Sequence, residues 1–328
     1  MDLAKVLIDA ARAAVGIPAA AYALSAIGLN LQFGYTGLLN FGHVAFMAVG
    51  AYGMAITVDL GGSIWLGIPM GILCAVVLGL LIGLPTLRLR ADYLAIVTIA
   101  TGEIIRLVVR SSLAAPLTKG IFGIQTFANE FFALNPIPRG VYGIGRFRFD
   151  QRSLWVMVVG WVLVLLAVAF TRRLAASPWG RVVRSVREDE DAARALGKNV
   201  FLYKLQSLMI GGAIGALAGM LLAIDQQNVI PDNYIPLLTF YAFAIVIIGG
   251  PGTLWGPVLG SIVFWFAFEF LNGIMTAAVL GRWFGDALQS TDIGPIRFAL
   301  FGIGMMVLMA FRPQGLFGRR EEMLIDGR

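Results

Sequence analysis

Few residues in this chain have the chemistry for covalent catalysis. There is one histidine, His43, and one cysteine, Cys74. A lone thiol in an apolar run builds neither a disulfide nor a thiolate metal site, and a lone histidine builds no histidine-rich one. His43 therefore reads as a helix-packing or pathway hydrogen-bonding group rather than a catalyst. The sequence has no GxxxxGK[ST] phosphate loop, so the chain is not expected to hydrolyse ATP itself. Glu103 and Arg106, three apart, are spaced to pair along one helix, and Glu269 sits in the aromatic run FWFAFEFL, within reach of an interface or a partner. An ionisable group at membrane depth faces protein or water, which leaves both a functional and a packing role open for the Glu103–Arg106 pair.

The remaining chemistry is non-covalent and falls in two patterns. One is a charged interruption, residues 171–204, with eight basic residues and four acids. Ser177 followed by Pro178 is a helix start, with arginines at 181, 184 and 187 at helical spacing through Val186. A second short helix is expected from Glu188 to Leu196. Glu188, Asp189, Glu190 and Asp191 suit its positive end, Arg194 its negative end, and Gly197 a left-handed stop. Ala192, Ala195 and Leu196 form its compact apolar side. The segment serves either as a solvated loop that orients the protein by charge or as a knob seated in a partner's groove, and the acids add nothing to orientation. The other pattern is polar residues among glycines: Tyr35, Thr36, Gly37, Asn40, Gly42 and His43 in GYTGLLNFGH, and Gly252 and Gly256 in IIGGPGTLWGPVLGS. Glycines so spaced serve close helix packing or a substrate path; the polar cluster around Asn40 favours the path.

The elements that must position these groups are membrane helices. The chain has 328 residues, 59% hydrophobic and 13% charged, with a mean hydropathy of +0.82. That is too little polar surface for a soluble domain. Its net charge of +6 gathers in loops beside apolar runs, without the basic and aromatic patches that hold nucleic acid. A span needs about 20 apolar residues; clear candidates are 13–33, 64–85, 92–109, 154–170, 205–224 and 296–311. Residues 34–58 and 236–271 are apolar but broken by glycine and proline. The expected fold is all-α, a polytopic transmembrane bundle of about eight or nine membrane segments, some broken or re-entrant. It forms one domain over residues 1–328, with 171–204 as a cytoplasmic loop. The N-terminus mixes acids with bases and lacks a small-residue cleavage site, so a retained first span is expected.

Basic short loops fix the orientation. The 171–204 segment, Arg88 and Arg90, and the tail with Arg312, Arg319, Arg320 and Arg328 are expected in the cytoplasm. Residues 111–153, 225–234 and 272–295 then lie outside, although 111–153 carries Lys119, Arg139, Arg146, Arg148 and Arg152. Longer exported loops follow the rule less strictly. The side of the N-terminus depends on whether 34–58 crosses once or turns back. Unpaired backbone is tolerated in hydrocarbon only where protein or water surrounds it, so the two broken regions point to the substrate path. One in each half suggests an internal repeat.

These residues carry a resemblance. Residues 27–31 (IGLNL), 34–43 (GYTGLLNFGH), 87–98 (LRLRADYLAIVT), 102–106 (GEIIR), 180–197 and 249–260 (GGPGTLWGPVLG) resemble, over nearly the whole chain, the LivM-type permeases of bacterial branched-chain amino acid ABC importers. The resemblance implies a multi-pass protein of the bacterial cytoplasmic membrane, paired with a second, similar permease. It further implies two cytoplasmic ATPase subunits that bind the ATP, and an extracytoplasmic binding protein that delivers the amino acid. This chain would carry no cofactor, and Arg187, Glu188, Asp189, Asp191, Ala192, Ala193, Arg194, Ala195, Leu196 and Gly197 would couple it to the ATPases. Urea and short-chain amide importers share the pattern. An ion-coupled carrier or channel would instead want carboxylates near the broken helices, and residues 34–58 contain none.

Overall fold

A computed structural model describes residues 3–89, 91–145, 147–280 and 290–318. Arg90, Arg146, Arg319, Arg320 and Arg328 lie outside the described residues. The chain opens with α1 (Leu3–Val15) and α2 (Ile17–Asn30), bent by 44° at Gly16, where Pro18 in the first turn of α2 leaves no amide to continue the ladder. Every residue of α2 except Pro18 is buried, the mark of a helix enclosed on all sides. It widens into one π-type turn over Leu31–Tyr35, and after a turn at residues 36–42 the chain resumes as α3 (His43–Asp59).

Next come α4 (Ile64–Thr86) and α5 (Ala91–Arg110), then a long connection holding α6 (Ala115–Thr118), β1 (Ile124–Gln125), α7 (Asn129–Ala133), β2 (Val141–Ile144) and β3 (Phe147–Asp150). The second half contains α8 (Gln151–Ala176), the short pair α9 (Pro178–Glu188) and α10 (Glu190–Ala195), and α11 (Val200–Gln226). β4 (Asn228–Val229), α12 (Leu237–Gly249), α13 (Gly256–Leu280) and α14 (Ile293–Phe311) complete it. The helical bundle expected is what the chain forms; its connections add two short antiparallel pairs, β1 with β4 and β2 with β3.

Residue pairings give the directions. Gly28 packs against Gly211 while Ala20 and Leu221 meet at Gly160, so α2 runs antiparallel to α11. The Ser261 hydroxyl donates to the Ala19 carbonyl and the Gly252 amide to Asn30, so α13 also opposes α2. His43 lies at Gly215 and Met47 at Gly219, so α3 runs with α11, and Gly50 at Gly71 with Met54 at Gly67 sets α3 against α4. The chain therefore descends in α2, turns at residues 36–42 and returns in α3. Glycines 211, 212, 215 and 219 on α11 let α2 and α3 approach it closely, the small-residue packing that helices use where hydrocarbon gives no hydrophobic drive.

Among the described residues, six helical stretches are long and apolar enough to cross a membrane, or seven with the bent α1–α2 pair counted as one. α3 is apolar but only 17 residues long, and α5 carries Asp92, Glu103, Arg106 and Arg110. At one end, β1–β4 pairing joins the 111–153 connection to the loop after α11, and Arg106 Nη1 on α5 reaches Asp232 in that loop at 2.8 Å. At the other, the Arg88 guanidinium lies over Phe201 at 5.8 Å and the Leu316 amide donates to the Ile248 carbonyl at 2.8 Å. The basic segments expected together thus share an end, insofar as they fall among the described residues.

Candidate translocation and coupling site

The break at residues 36–42 exposes backbone that side chains of other helices must satisfy. Gln32 donates to the Leu208 carbonyl at 3.0 Å and accepts from Asn40 at 3.0 Å, and the Asn40 side-chain oxygen accepts the Gly42 amide at 3.0 Å. Thr36 shares a hydrogen bond with Ser207 at 2.7 Å, and both hydroxyls approach the Leu31 carbonyl at 3.0 Å. Thr98 on α5 accepts the Phe41 amide at 3.1 Å, and Thr239 on α12 accepts the Val44 amide at 2.9 Å, which serves a free donor in the first turn of α3. Three other helices, α5, α11 and α12, therefore hold one interruption.

Tyr35, Thr36, Asn40 and His43 are all buried. His43 packs against Phe46 and fills the space a β-carbon on Gly215 would need. Gly42 lies so close to the Thr98 carbonyl that a β-carbon would collide with it. In the second interruption a β-carbon on Gly256 would collide with the Thr253 hydroxyl and, less closely, with the carbonyls of Gly249 and Gly250. Gly252 has a left-handed φ of +79° and Gly37 one of +75°, where a side chain costs roughly 1 kcal/mol or more.

Asn30 joins the two interruptions. Its side-chain nitrogen donates to the Thr253 carbonyl at 2.9 Å and its oxygen accepts the Gly252 amide at 2.8 Å. Sequence reasoning passed over Asn30 and Gln32, though a signal existed: two polar groups two apart in the apolar run IGLNLQF. Buried polar side chains must find partners.

The charged pair docks on this junction. The Ser177 hydroxyl caps α9, accepting the Gly180 amide at 3.4 Å, and Val183 and Val186 turn inward. Arg184 lies over the Tyr35 ring at 5.5 Å, and Arg187 Nη1 donates to the Gly34 carbonyl at 2.6 Å, close beside Gly252. The sequence-based boundary shifts: Glu188 closes α9 instead of opening the next helix. Asp189, with φ −153° and ψ 111°, breaks the chain and caps α10 by accepting from Asp191 at 2.8 Å and Ala192 at 3.0 Å. Ala193 is buried against Val186 and Val200, whereas Ala192, Ala195 and Leu196 face outward, Leu196 with 77% exposure. Arg194 pairs with Asp191 at 2.8 Å and Glu190 at 3.3 Å, and Glu190 also pairs with Lys204. Gly197 takes the left-handed stop at φ +73°.

Other ionisable groups serve packing at the opposite end. Arg106 pairs with Glu103 at 2.5 Å and with Asp232, which Arg110 also reaches at 3.1 Å. Glu269 accepts from Asn272 at 3.3 Å and borders a cleft with Asp9, Arg12 and Asp225. Glu130 accepts from Ser63 and from the Ile64 amide, both at 2.8 Å, at the start of α4. Those two hydrogen bonds hold its carboxyl below the usual glutamate range.

A bundle of apolar helices, with two interrupted segments joined at one end beneath a charged helix pair, has the build of a membrane transport permease. The chain belongs to the family described as branched-chain amino acid transport system / permease component, whose model matches residues 13–310. Among its relatives is the high-affinity branched-chain amino acid transport system permease protein LivM of Escherichia coli K12. The two are 30% identical over 318 residues, covering 90% of this chain and 67% of the relative. A probable LivM of Methanocaldococcus jannaschii is 27% identical, with 90% of each chain covered. The high-affinity branched-chain amino acid transport system permease protein LivH of Escherichia coli K12 is 26% identical, with 92% of each covered. The chain is thus an ABC-importer permease.

Proposed function

We propose that the chain is one of two similar permease subunits of an ATP-driven importer in the bacterial cytoplasmic membrane, carrying branched-chain or related hydrophobic amino acids. The relatives' transport of such amino acids supports the substrate class, and the likeness to both LivM and LivH supports pairing with a second permease. An extracytoplasmic binding protein delivers the amino acid, and two cytoplasmic ATPase subunits bind ATP; this chain needs no cofactor. With α3 and α5 added to the seven apolar spans, the chain makes about nine passages. The N-terminus and the 111–153 connection lie outside, and α9, α10 and the tail after α14 lie in the cytoplasm.

The observation that carries this reading is the contact of Arg187 with Gly34, 153 residues away. It links the helix pair available to a motor with both interruptions, through Gly34 and through Asn30 to Gly252. Movement of α9–α10 on ATP binding would shift the two interruptions together and change which side the path faces. Gly37, Asn40, Gly42, His43, Gly252 and Gly256, with Tyr35 and Thr36, then form the moving wall. Uptake of leucine, isoleucine, valine, urea and amides by the reconstituted importer with its binding protein tests the substrate class. ATP-dependent uptake of the three amino acids is expected; uptake of urea or amides alone would assign a different cargo.

A further inference from the structure

A groove of about 460 Å³ lies between the end of α8 and the turn that precedes α13. Its floor is apolar, Val168 and Ala169 on α8 and Leu254 on the turn, and the Trp255 indole forms one wall with 48% exposure. Arg172 and Arg173 line its mouth, both exposed, and neither has an acidic partner among the described residues. We propose that this groove binds an anionic phospholipid of the cytoplasmic leaflet, its phosphate at Arg172 and Arg173 and an acyl chain along α8. The proposal rests on the orientation argued above.

Three observations favour a lipid. The groove opens onto a side of α8 that stays apolar for about three turns, with Val158, Val162, Leu165, Leu166 and Phe170 all at least 43% exposed, a surface suited to hydrocarbon. α8 has 26 residues, about 39 Å at 1.5 Å per residue, so its last turns reach the headgroup layer. Exposed tryptophan beside arginine is the pairing expected at that depth, and a basic pocket between helices on the cytoplasmic side suits an anionic headgroup. Since Leu254 and Trp255 belong to the second interruption, a lipid seated there would also touch the segment that Asn30 holds.

The test uses the assembled importer in vesicles of uncharged lipid, with photoactivatable phosphatidylglycerol or phosphatidylcholine in trace amount. Phosphatidylglycerol should label residues 165–176 and 254–255 roughly tenfold more than phosphatidylcholine, and R172Q/R173Q should abolish that preference. Equal labelling by the two lipids, or a preference that survives R172Q/R173Q, overturns the proposal. Competition by inorganic phosphate would also overturn it, by marking a free-anion site, as would labelling that appears only after the subunits are separated, by marking a protein interface. Should R172Q/R173Q fail to assemble, W255S keeps both charges and should lower phosphatidylglycerol labelling of 165–176; unchanged labelling then counts against the site. No transport is measured, so a wrong cargo assignment and a wrong lipid site fail separately.

Discussion

Arg187 donates from its guanidinium to the Gly34 carbonyl at 2.6 Å and lies beside the left-handed Gly252, so one side chain of the charged helix pair reaches both interrupted segments. A carbonyl at a widened helix turn has lost its regular intrahelical partner. The arginine supplies a charge-assisted one, worth about 1.5–3 kcal/mol. On the proposed reading, this bond is the route by which a displacement of α9 reaches both segments.

Replacing Ala192 or Ala195 by glutamate should stop transport while the protein still inserts. Both face outward beside Leu196. A groove that accepts a methyl group cannot accept a desolvated charge without a penalty of several kcal/mol. Uptake and ATPase stimulation by the binding protein are the measurements, and normal values of both in either variant would remove α10 from the motor contact.

Valine at Gly42 or Gly256 should reduce uptake by at least about tenfold, because forced overpacking costs roughly 1–3 kcal/mol. The added carbons meet backbone in both places, the Thr98 carbonyl at Gly42 and the Gly249 and Gly250 carbonyls at Gly256, and backbone cannot swing aside. Assembly with the other subunits is expected to persist. Wild-type uptake by both variants would make these close approaches dispensable.

Glu130 predicts a pH effect. Its carboxyl is held below the ordinary value of 4.5, chiefly by the Ile64 amide and next by the Ser63 hydroxyl. A lowered folded-state value means the stabilisation is complete above pH 4.5 and fades as pH falls through the lowered value. Thermal midpoints of the wild type should exceed those of Glu130→Ala at neutral pH, with the gap closing in acid. A gap that widens on acidification would contradict the assignment.

Sidedness is testable by thiol labelling in a Cys74→Ala background. Leu196→Cys, on the exposed tip of α10, should resist an impermeant external reagent in intact cells and react after permeabilisation. Gln125→Cys, exposed on β1, should react from outside. Labelling of Leu196→Cys in intact cells would invert the topology.

Local chemistry made much of this legible. Ser177 with Pro178, and Gly197, marked helix ends that the structure places within two residues, and the arginines at 184 and 187 were visible at helical spacing. The boundary at Glu188 and Asp189 was not, because either carboxylate can cap a helix and only the backbone at Asp189 decides. The turns at 36–42 and 250–255 were readable from glycine and proline, but each joins two antiparallel helices rather than breaking one span; among the described residues the bent span is α1–α2. What holds them was not: Thr36 meets Ser207 171 residues away and Asn30 meets Gly252 222 residues away, separations that no local pattern encodes. The β1–β4 pair is two residues on each side, too short for an alternation to register.

The ratio of ATP hydrolysed to amino acid imported, measured for Arg187→Gln in the reconstituted importer, tests the central claim most directly. Losing the charge-assisted bond to Gly34 should leave binding-protein-stimulated hydrolysis running while uptake falls roughly tenfold or more, so the ratio rises by the same factor. A ratio equal to that of the wild type would show that motion of α9–α10 reaches the interrupted helices by another route, and would contradict the account.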